Sequence, residues 1–459
     1  MDVLSTAPCV QIRGLTEIGS TSMRSFPAVF WLLLTGSAVV WGGSPDRPPN
    51  LIFILADDLG VGNVGCYGSD RYRTPQIDRL AQSGLRYTRA YTAPLCGPSR
   101  ALIMTGRYAF RTGATNQDRV GQLKPAAETM LSVYLRQAGY RTGAFGKWSQ
   151  FPLQPSDWGF DEYLRFSGSG VYRNTDAKGE SYVVNGESRR LTADQYMPDL
   201  LHERVVDFIR RHREQPFFVY YSLSSVHGEL LPTPDSPAVE PDLMADNISY
   251  MDKLIGKLLS ELGQQNLLQS TLIVFMGDNG TGKGQADEAT IGGRRLAGQK
   301  GTMQEGGALV PLIVSWPGVI AGGGVSDGVM DSTDFLPTFC ELAGVTLPSD
   351  RVIDGRSLVA EWRGTQAQHR KWAFVQLARN WYVREAQWKL NQAGELFDMG
   401  GAPFAESLVP QSADTPDSRE ARQRLQAVLD GLNPAGGILD DGDGSGRHAG
   451  RKKEGNSGD

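Results

Sequence analysis

Four short apolar runs, each ending abruptly in a residue able to do chemistry, constrain this chain more than any other feature. "NLIFILADD" carries Leu51 to Leu55 into Asp57 and Asp58, and "TLIVFMGDNG" carries Thr271 to Met276 into Asp278 and Asn279. "YRTGAFGKW" runs into Lys147, and "PFFVYYSLSSVHG" runs into His227. A run without polar alternation suits a strand whose sheet is covered on both faces, as in parallel-rich α/β sheets. Helical patterns lie between the runs, for example "AETMLSVYLRQAG" and "MDKLIGKLLSELG". The expected class is therefore α/β, a mostly parallel sheet flanked by helices. In open sheets of this kind ligands bind beyond the carboxyl ends of the strands, so the four polar endings are expected to converge.

Taken singly, each ending has a plainer explanation. An Asp-Asp pair after a strand commonly caps a helix or sits in a solvated turn, and a lone histidine such as His227 is commonly structural. "NGT" at Asn279 also matches a glycosylation acceptor, although a sheet-edge position argues against that use. Together, Asp57, Asp58, Asp278 and Asn279 make an oxygen-only donor set, which suits Ca²⁺ or Mg²⁺ rather than zinc. The five histidines are His202, His212, His227, His369 and His448, too few and too scattered for a two-zinc phosphatase centre.

The stretch "PLCGPSRALIMTG", Pro94 to Gly106, raises a separate question. Pro98 is expected at the first position of a short helix that continues through Thr105. Cys96 then lies where backbone N–H groups point outward and the helix dipole favours an anion. A thiol there is open to three readings: a nucleophile, a covalently modified residue, or a small buried filler.

The ends of the chain differ from its middle. "MRSFPAVFWLLLTGSAVVWGGS" has a basic start at Met23, an apolar run from Phe26 to Trp41 and a small-residue end. That is the layout of a secretory signal peptide, and the run is short for a membrane span. Residues 1–43 are read as an N-terminal extension with a signal peptide, Met23 being a candidate start. Export to the periplasm or the medium is expected, with no stable membrane span; an uncleaved anchor is the alternative. Removal of the signal takes Cys9 and leaves Cys66, Cys96 and Cys340, which make neither a disulfide framework nor a zinc pairing. Residues 438–459 read as a disordered polar tail. The net charge of −5 without a clustered basic face excludes a nucleic-acid partner.

With these residues in view, "CGPSRALIMTG" resembles the signature of the sulfatase family, Cys-x-Pro-Ser-Arg followed by a short helix and Thr-Gly. "PNLIFILADDLG", "GYRTGAFGKW", "DWGFDEY", "MGDNG", "GQKGTMQEGGALVPLIVSWPG" and "DSTDFLPTFCELAG" also look like successive segments of that family, in order. "VREAQWKL" with "GELFDM" is similar to its C-terminal subdomain, and the resemblance spans roughly residues 48 to 400. It implies an alkaline-phosphatase-like fold: a catalytic domain with a mixed, mostly parallel central sheet over 44–365, and an α+β subdomain of antiparallel sheet plus helix over 366–437. It implies conversion of Cys96 to Cα-formylglycine by a maturation enzyme, the aldehyde hydrate being the nucleophile. Asp57, Asp58, Asp278 and Asn279 would hold one Ca²⁺ (Mg²⁺ being the lesser choice), with the group derived from Cys96 in its shell. Arg100 would stabilise the hydrate, Lys147 and Lys300 would bind sulfate oxygens, and His227 would protonate the leaving alcohol. The substrate would be a sulfate ester of a carbohydrate or aryl alcohol.

Two positions depart from the family. Ser149 in "GKWSQ" stands where the family usually has a histidine, and a hydroxyl is a poor general base at pH 7. Its place in the catalytic set is therefore open. Leu309 in "EGGALVP" stands where the family often has arginine, which reads as a local packing change. The rivals are a phosphonate monoester or phosphodiester hydrolase of the same fold, and a non-catalytic binder of sulfated glycans prompted by Ser149. Retention of Cys96, Arg100, Lys147, His227 and the four oxygen donors weighs against the binder. Finally, Lys283 to Lys300 lacks apolar periodicity and is expected to form a loop at the pocket rim. Its Arg294 and Arg295 would meet a second acidic group on the substrate.

Overall fold

Strand β1 (Asn50–Ala56) is buried along its whole length because its alternate residues enter two different cores. Leu51, Phe53 and Leu55 pack with Ile103, Leu131, Phe335 and Phe339 on one face of the sheet. Ile52 and Ile54 pack with Ile77, Val205, Ile248 and Ile255 on the other. An apolar residue is thus needed at every position, which is why the run shows no alternation. The computed structural model describes residues 47–166, 170–174, 181–366 and 368–442. The expected N-terminal extension and signal segment lie outside the described residues, as does the tail beyond 442.

The remaining strands are β2 (Leu85–Tyr91), β3 (Arg141–Lys147), β4 (Glu162–Phe166), β5 (Ser181–Val184), β6 (Glu187–Arg190), β7 (Phe217–Ser222) and β8 (Thr271–Gly277). A two-residue hairpin, β9 (Thr290–Ile291) with β10 (Arg294–Arg295), precedes β11 (Leu312–Ser315) and β12 (Gly324–Asp331). The large sheet has ten strands in the order β12-β2-β11-β8-β1-β7-β3-β4-β5-β6. Its centre, β8-β1-β7-β3-β4, is parallel throughout, while β11 and the β5–β6 edge run antiparallel. The expected mixed, mostly parallel α/β architecture is therefore present. The long helix Leu243–Gln264 covers one face and begins eight residues before the quoted helical pattern, because the Asp242 carboxylate caps it by accepting from Ala245 N–H.

A second sheet of five antiparallel strands follows, β13 (Trp372–Leu377), β14 (Asn380–Glu385), β15 (Trp388–Asn391), β16 (Leu396–Asp398) and β17 (Ser407–Val409), with the helix Pro416–Leu432 against it. This is the expected antiparallel-sheet-plus-helix subdomain. It holds the segment that leads to and from Lys300. Lys389 Nζ, paired with Glu406, also donates to Met303 O at 3.1 Å, and Glu406 accepts from Glu305 N–H at 2.8 Å. Arg384 Nε meets Glu305 Oε1 at 3.0 Å, and Ala297 N–H donates to Pro403 O at 2.9 Å. Leu309 lies buried among Val61, Tyr91, Val329 and Tyr382, an apolar packing that suits leucine. Residues 438–442 remain attached to the body: Ile438 N–H donates to Phe110 O, and the buried Asp440 carboxylate accepts from Thr115.

Where the chain passes from the large sheet to the small one, buried ions form a clasp. His369 is held between Asp334 Oδ2 and Glu361 Oε2, each at 2.8 Å, and Arg370 meets Asp334 Oδ1 at 2.5 Å. Asp331 accepts from Tyr108 Oη and from Phe374 N–H, the latter on β13. Burial alone would push the imidazole pKa down, but its bonds to Asp334 and Glu361 outweigh burial and raise it above 6.5. A raised folded-state pKa means that the contribution is complete below pH 6.5 and is lost as pH rises through the folded value. Substitution His369→Gln is therefore expected to cost about 3–5 kcal/mol near pH 6. The deficit should shrink at pH 9. Urea unfolding of parent and variant at both pH values measures this, and a gap independent of pH would contradict the ionic clasp.

Candidate active site

The parallel register brings the polar strand endings to one edge. Ala56 pairs with Gly277, so Asp57 and Asp278 leave β1 and β8 at the same level, and Asp278 N–H donates to Ala56 O at 2.9 Å. Asp58 then turns back with φ 60°, a left-handed conformation that aspartate tolerates, and its N–H donates to Asp278 Oδ1 at 3.0 Å. Asn279 Nδ2 donates to Asp58 Oδ1 at 2.8 Å. Lys147 ends β3, and its Nζ lies 2.5 Å from Asp57 Oδ2. All four predicted strand endings meet, since His227 Nε2 stands 3.6 Å from Asp58 Oδ2.

Cys96 reaches this edge from a helix, Cys96–Thr105. The helix starts two residues earlier than Pro98, so the thiol belongs to its first turn instead of preceding it. Proline is accommodated because N–H groups of the first turn have no intrahelical acceptor. Ser99 Oγ closes the turn by donating to Ala93 O at 2.7 Å and to Leu95 O at 2.9 Å. One turn on, Arg100 is fully buried and spends its donors on the cluster. Nε and Nη2 meet Asp278 Oδ2 at 3.1 and 2.8 Å, while Nη1 meets Tyr220 Oη, Ser222 Oγ and Lys147 O.

Electrostatics follow from this crowding. Burial pushes the Asp57 carboxyl up, but the charges of Lys147, His227 and Arg100 hold it below its ordinary value. Burial and the neighbouring Asp57 push Asp278 up, against Arg100. Burial opposes the charge of Lys147 and Lys300, yet Asp57 and Asp58 respectively prevail and keep both ammonium groups protonated. His227 is lowered, first by burial and then by Lys147 and Lys300, with Asp57 and Asp58 pulling the other way.

A cavity of ≈ 420 Å³ opens over the cluster, lined by Asp58, Cys96, His227 and Lys300, whose Nζ lies 2.5 Å from Asp58 Oδ1. Lys283 and Gln285, from the loop expected at the rim, also line it, as do Gln117 and Gln150, which the sequence does not mark because single amides carry no motif. Tyr220 and Ser222, which orient Arg100, were legible only as polar interruptions in the β7 run. Three expected site residues are placed elsewhere. Ser149 does not line the cavity; its Oγ turns to Gln150 Oε1 at 2.6 Å. Arg294 does not face the cavity either, because its guanidinium lies 4.0 Å from the Phe404 ring centroid, and Arg295 pairs with Asp287. Neither arginine of the β9–β10 hairpin lines the cavity, whereas Lys283, from the same loop, does.

Two pairs of facts bear on a bound cation. Asp57 Oδ1 and Asn279 Oδ1 are buried oxygens with no hydrogen-bond donor. Potential ligand atoms of Asp57, Cys96 and Asp278 lie within 4.8 Å of one another, as do those of Asp57, Asp58 and His227. Oxygens of this kind, left without donors inside a protein, are rare unless an ion or water completes them. Among the described residues no helix is long and apolar enough to cross a membrane.

Comparison with known proteins accords with this geometry. The Sulfatase family model matches residues 49–345. The steryl-sulfatase of Rattus norvegicus is 28% identical, over 81% of this chain and 80% of its own length. The N-acetylgalactosamine-6-sulfatase of Canis lupus familiaris is 32% identical, over 74% and 70%. Arylsulfatase D of Homo sapiens is 31% identical, over 80% and 79%. Among solved structures, Ps i-CgsB in complex with k-i-k-neocarrahexaose superposes with a TM-score of 0.74 at 28% identity, over 84% of this chain and 93% of that one. With its family model covering most of the fold that carries Cys96, Arg100 and the acidic edge, the chain belongs to the sulfatase family and is a sulfuric ester hydrolase.

Proposed function

We propose that this sulfatase cleaves sulfate esters of carbohydrates, using a Cα-formylglycine formed from Cys96 and one Ca²⁺ held by Asp57, Asp58, Asp278 and Asn279. The observation that carries the reading is the pair of donor-less buried oxygens, Asp57 Oδ1 and Asn279 Oδ1, in the same cluster as Cys96. A hard cation satisfies such oxygens, and the all-oxygen donor set favours calcium. When bound, the cation offsets the negative charge of the sulfate against the three carboxylates. The aldehyde hydrate supplies two hydroxyls, one to attack sulfur and one to expel sulfate, which a single serine hydroxyl could not do.

The chain's own residues do the rest. Lys147 and Lys300 stay charged, bind sulfate oxygens and meet the charge that gathers on them in the transition state. Arg100 holds the first turn of the Cys96 helix against Asp278 and so sets the nucleophile's place. His227 faces the cavity and holds the proton that the leaving alcohol takes. The cavity wall supports a carbohydrate over a steryl or aryl alcohol. Among its described lining residues Leu95 is the only large apolar side chain, whereas Gln150, Gln285 and Lys283 offer partners for polar groups of a substrate. The same reading takes the protein as exported, and as matured by a formylglycine-generating enzyme.

Three outcomes are expected. Mass spectrometry of the tryptic peptide containing Cys96 should show loss of thiol and gain of aldehyde, and Cys96→Ala should abolish sulfate release; an active Cys96→Ala protein would sink the reading. Metal analysis should find one calcium per chain, lost together with activity in Asp278→Ala, and stoichiometric zinc without calcium would refute the assignment. Lys283→Ala should lower kcat/KM about fivefold, roughly 1 kcal/mol, on a polyanionic sugar sulfate and leave a simple aryl sulfate unchanged. Arg294→Ala/Arg295→Ala should alter neither substrate by more than about twofold; a larger loss would return those arginines to the rim.

A further inference from the structure

We propose that the carboxamide N–H of Gln150 is a further substrate-binding group, donating to an oxygen of the bound sulfate ester, and that Ser149 and Gln117 are the residues that aim it. The inference rests on the cavity at Cys96 being the sulfate-ester site. It starts from one backbone group whose role is unambiguous. Gly97 N–H can only donate, and it lies 3.0 Å from Gln117 Oε1, which fixes which end of that amide is the oxygen. Gln117 Nε2 must then face the other way, where it donates to Cys96 Sγ at 3.3 Å and to Gln150 Oε1.

Gln150 Oε1 therefore accepts from Gln117. It also accepts from Ser149 Oγ, 2.6 Å away, because an amide oxygen cannot donate. Two donors converging on one oxygen fix the plane of the Gln150 amide and leave its Nε2 pointing away from both. Among the described residues no group accepts from that Nε2, and Gln150 lines the cavity with Cys96, His227 and Lys300. The sulfate group presents only acceptor oxygens, so an N–H donor left without an acceptor at this wall matches it.

On this account Ser149 is a positioning residue. Its hydroxyl supplies no base; it supplies the second donor that keeps a neutral amide oriented towards an anion. That gives a serine at this position a use that a purely vestigial residue would lack.

The test compares the parent with Gln150→Ala, Gln150→Glu and Ser149→Ala. Each is measured for KM and kcat on a sugar sulfate, and for stabilisation by inorganic sulfate read as a rise in Tm. Gln150→Ala should raise KM and the apparent Kd for sulfate about fivefold to tenfold with a smaller change in kcat. Gln150→Glu keeps an oxygen for Ser149 and Gln117 but replaces the donor by a carboxylate, and should bind sulfate more weakly still. Ser149→Ala should move KM about threefold in the same direction. Sulfate binding by Gln150→Ala equal to that of the parent overturns the proposal, as does a parent that sulfate does not stabilise. The thermal shift needs no turnover, so an inactive parent that sulfate still stabilises would count against the proposed reaction and leave the Gln150 comparison decisive.

Discussion

Three carboxylates, Asp57, Asp58 and Asp278, are buried at one corner of the sheet, and everything around them answers to that charge. Isolated buried carboxylates are among the costliest things a fold can contain, and they persist only when paired and hydrogen-bonded. Arg100 covers Asp278, Lys147 covers Asp57 and Lys300 covers Asp58. The pairing leaves two oxygens without a donor. Three carboxylates and the three cations that cover them thus balance in charge at this corner. Removing a lysine or the arginine would disturb the balance as well as the chemistry.

The three cations come from three places and are held in different ways. Arg100 is carried by the helix that starts at Cys96, so Cys96 and the group that braces the acidic edge share one short helix. Lys147 ends a central strand and needs nothing more. Lys300 stands on an irregular segment that has no strand to hold it. Lys300 N–H donates to Thr281 O and Gly301 N–H to Pro94 O, and the flanking residues are tied to the small sheet through Lys389, Glu406 and Arg384. The antiparallel sheet has no residue lining the cavity, but it braces the segment that places one of the cavity's cations. Its own attachment runs through the buried clasp around His369.

Part of the cavity lining is neutral. Gln117 and Gln150 form a chain of amides that begins at the backbone of Gly97 and ends at the cavity, with Ser149 behind it. The departure at Ser149 then reads as a change in how the wall is built, since the neighbouring Gln150 occupies the cavity and the serine orients it.

Much of this was legible in the chain before any coordinates. Unalternated runs announced strands buried on both faces, because a β residue with apolar neighbours above and below can be nothing else. Asp57, Asp58, Lys147, Asp278 and Asn279 were legible because they end such runs, and a parallel sheet has one carboxyl edge for all of them. Cys96 and Arg100 were legible from a local motif. What the linear order could not carry was direction. Arg294 and Arg295 sit in a segment whose two ends are both at the site, yet a hairpin of two residues per strand turns them to Phe404 and Asp287. Ser149 occupies the expected slot in the sequence, but its side chain points to its neighbour. Gln117 and Gln150 have no signature at all; they matter only because separate segments meet at one cavity. Side-chain chemistry and strand order are properties of the sequence, whereas which way a loop residue faces is decided by packing against parts of the chain far away in sequence.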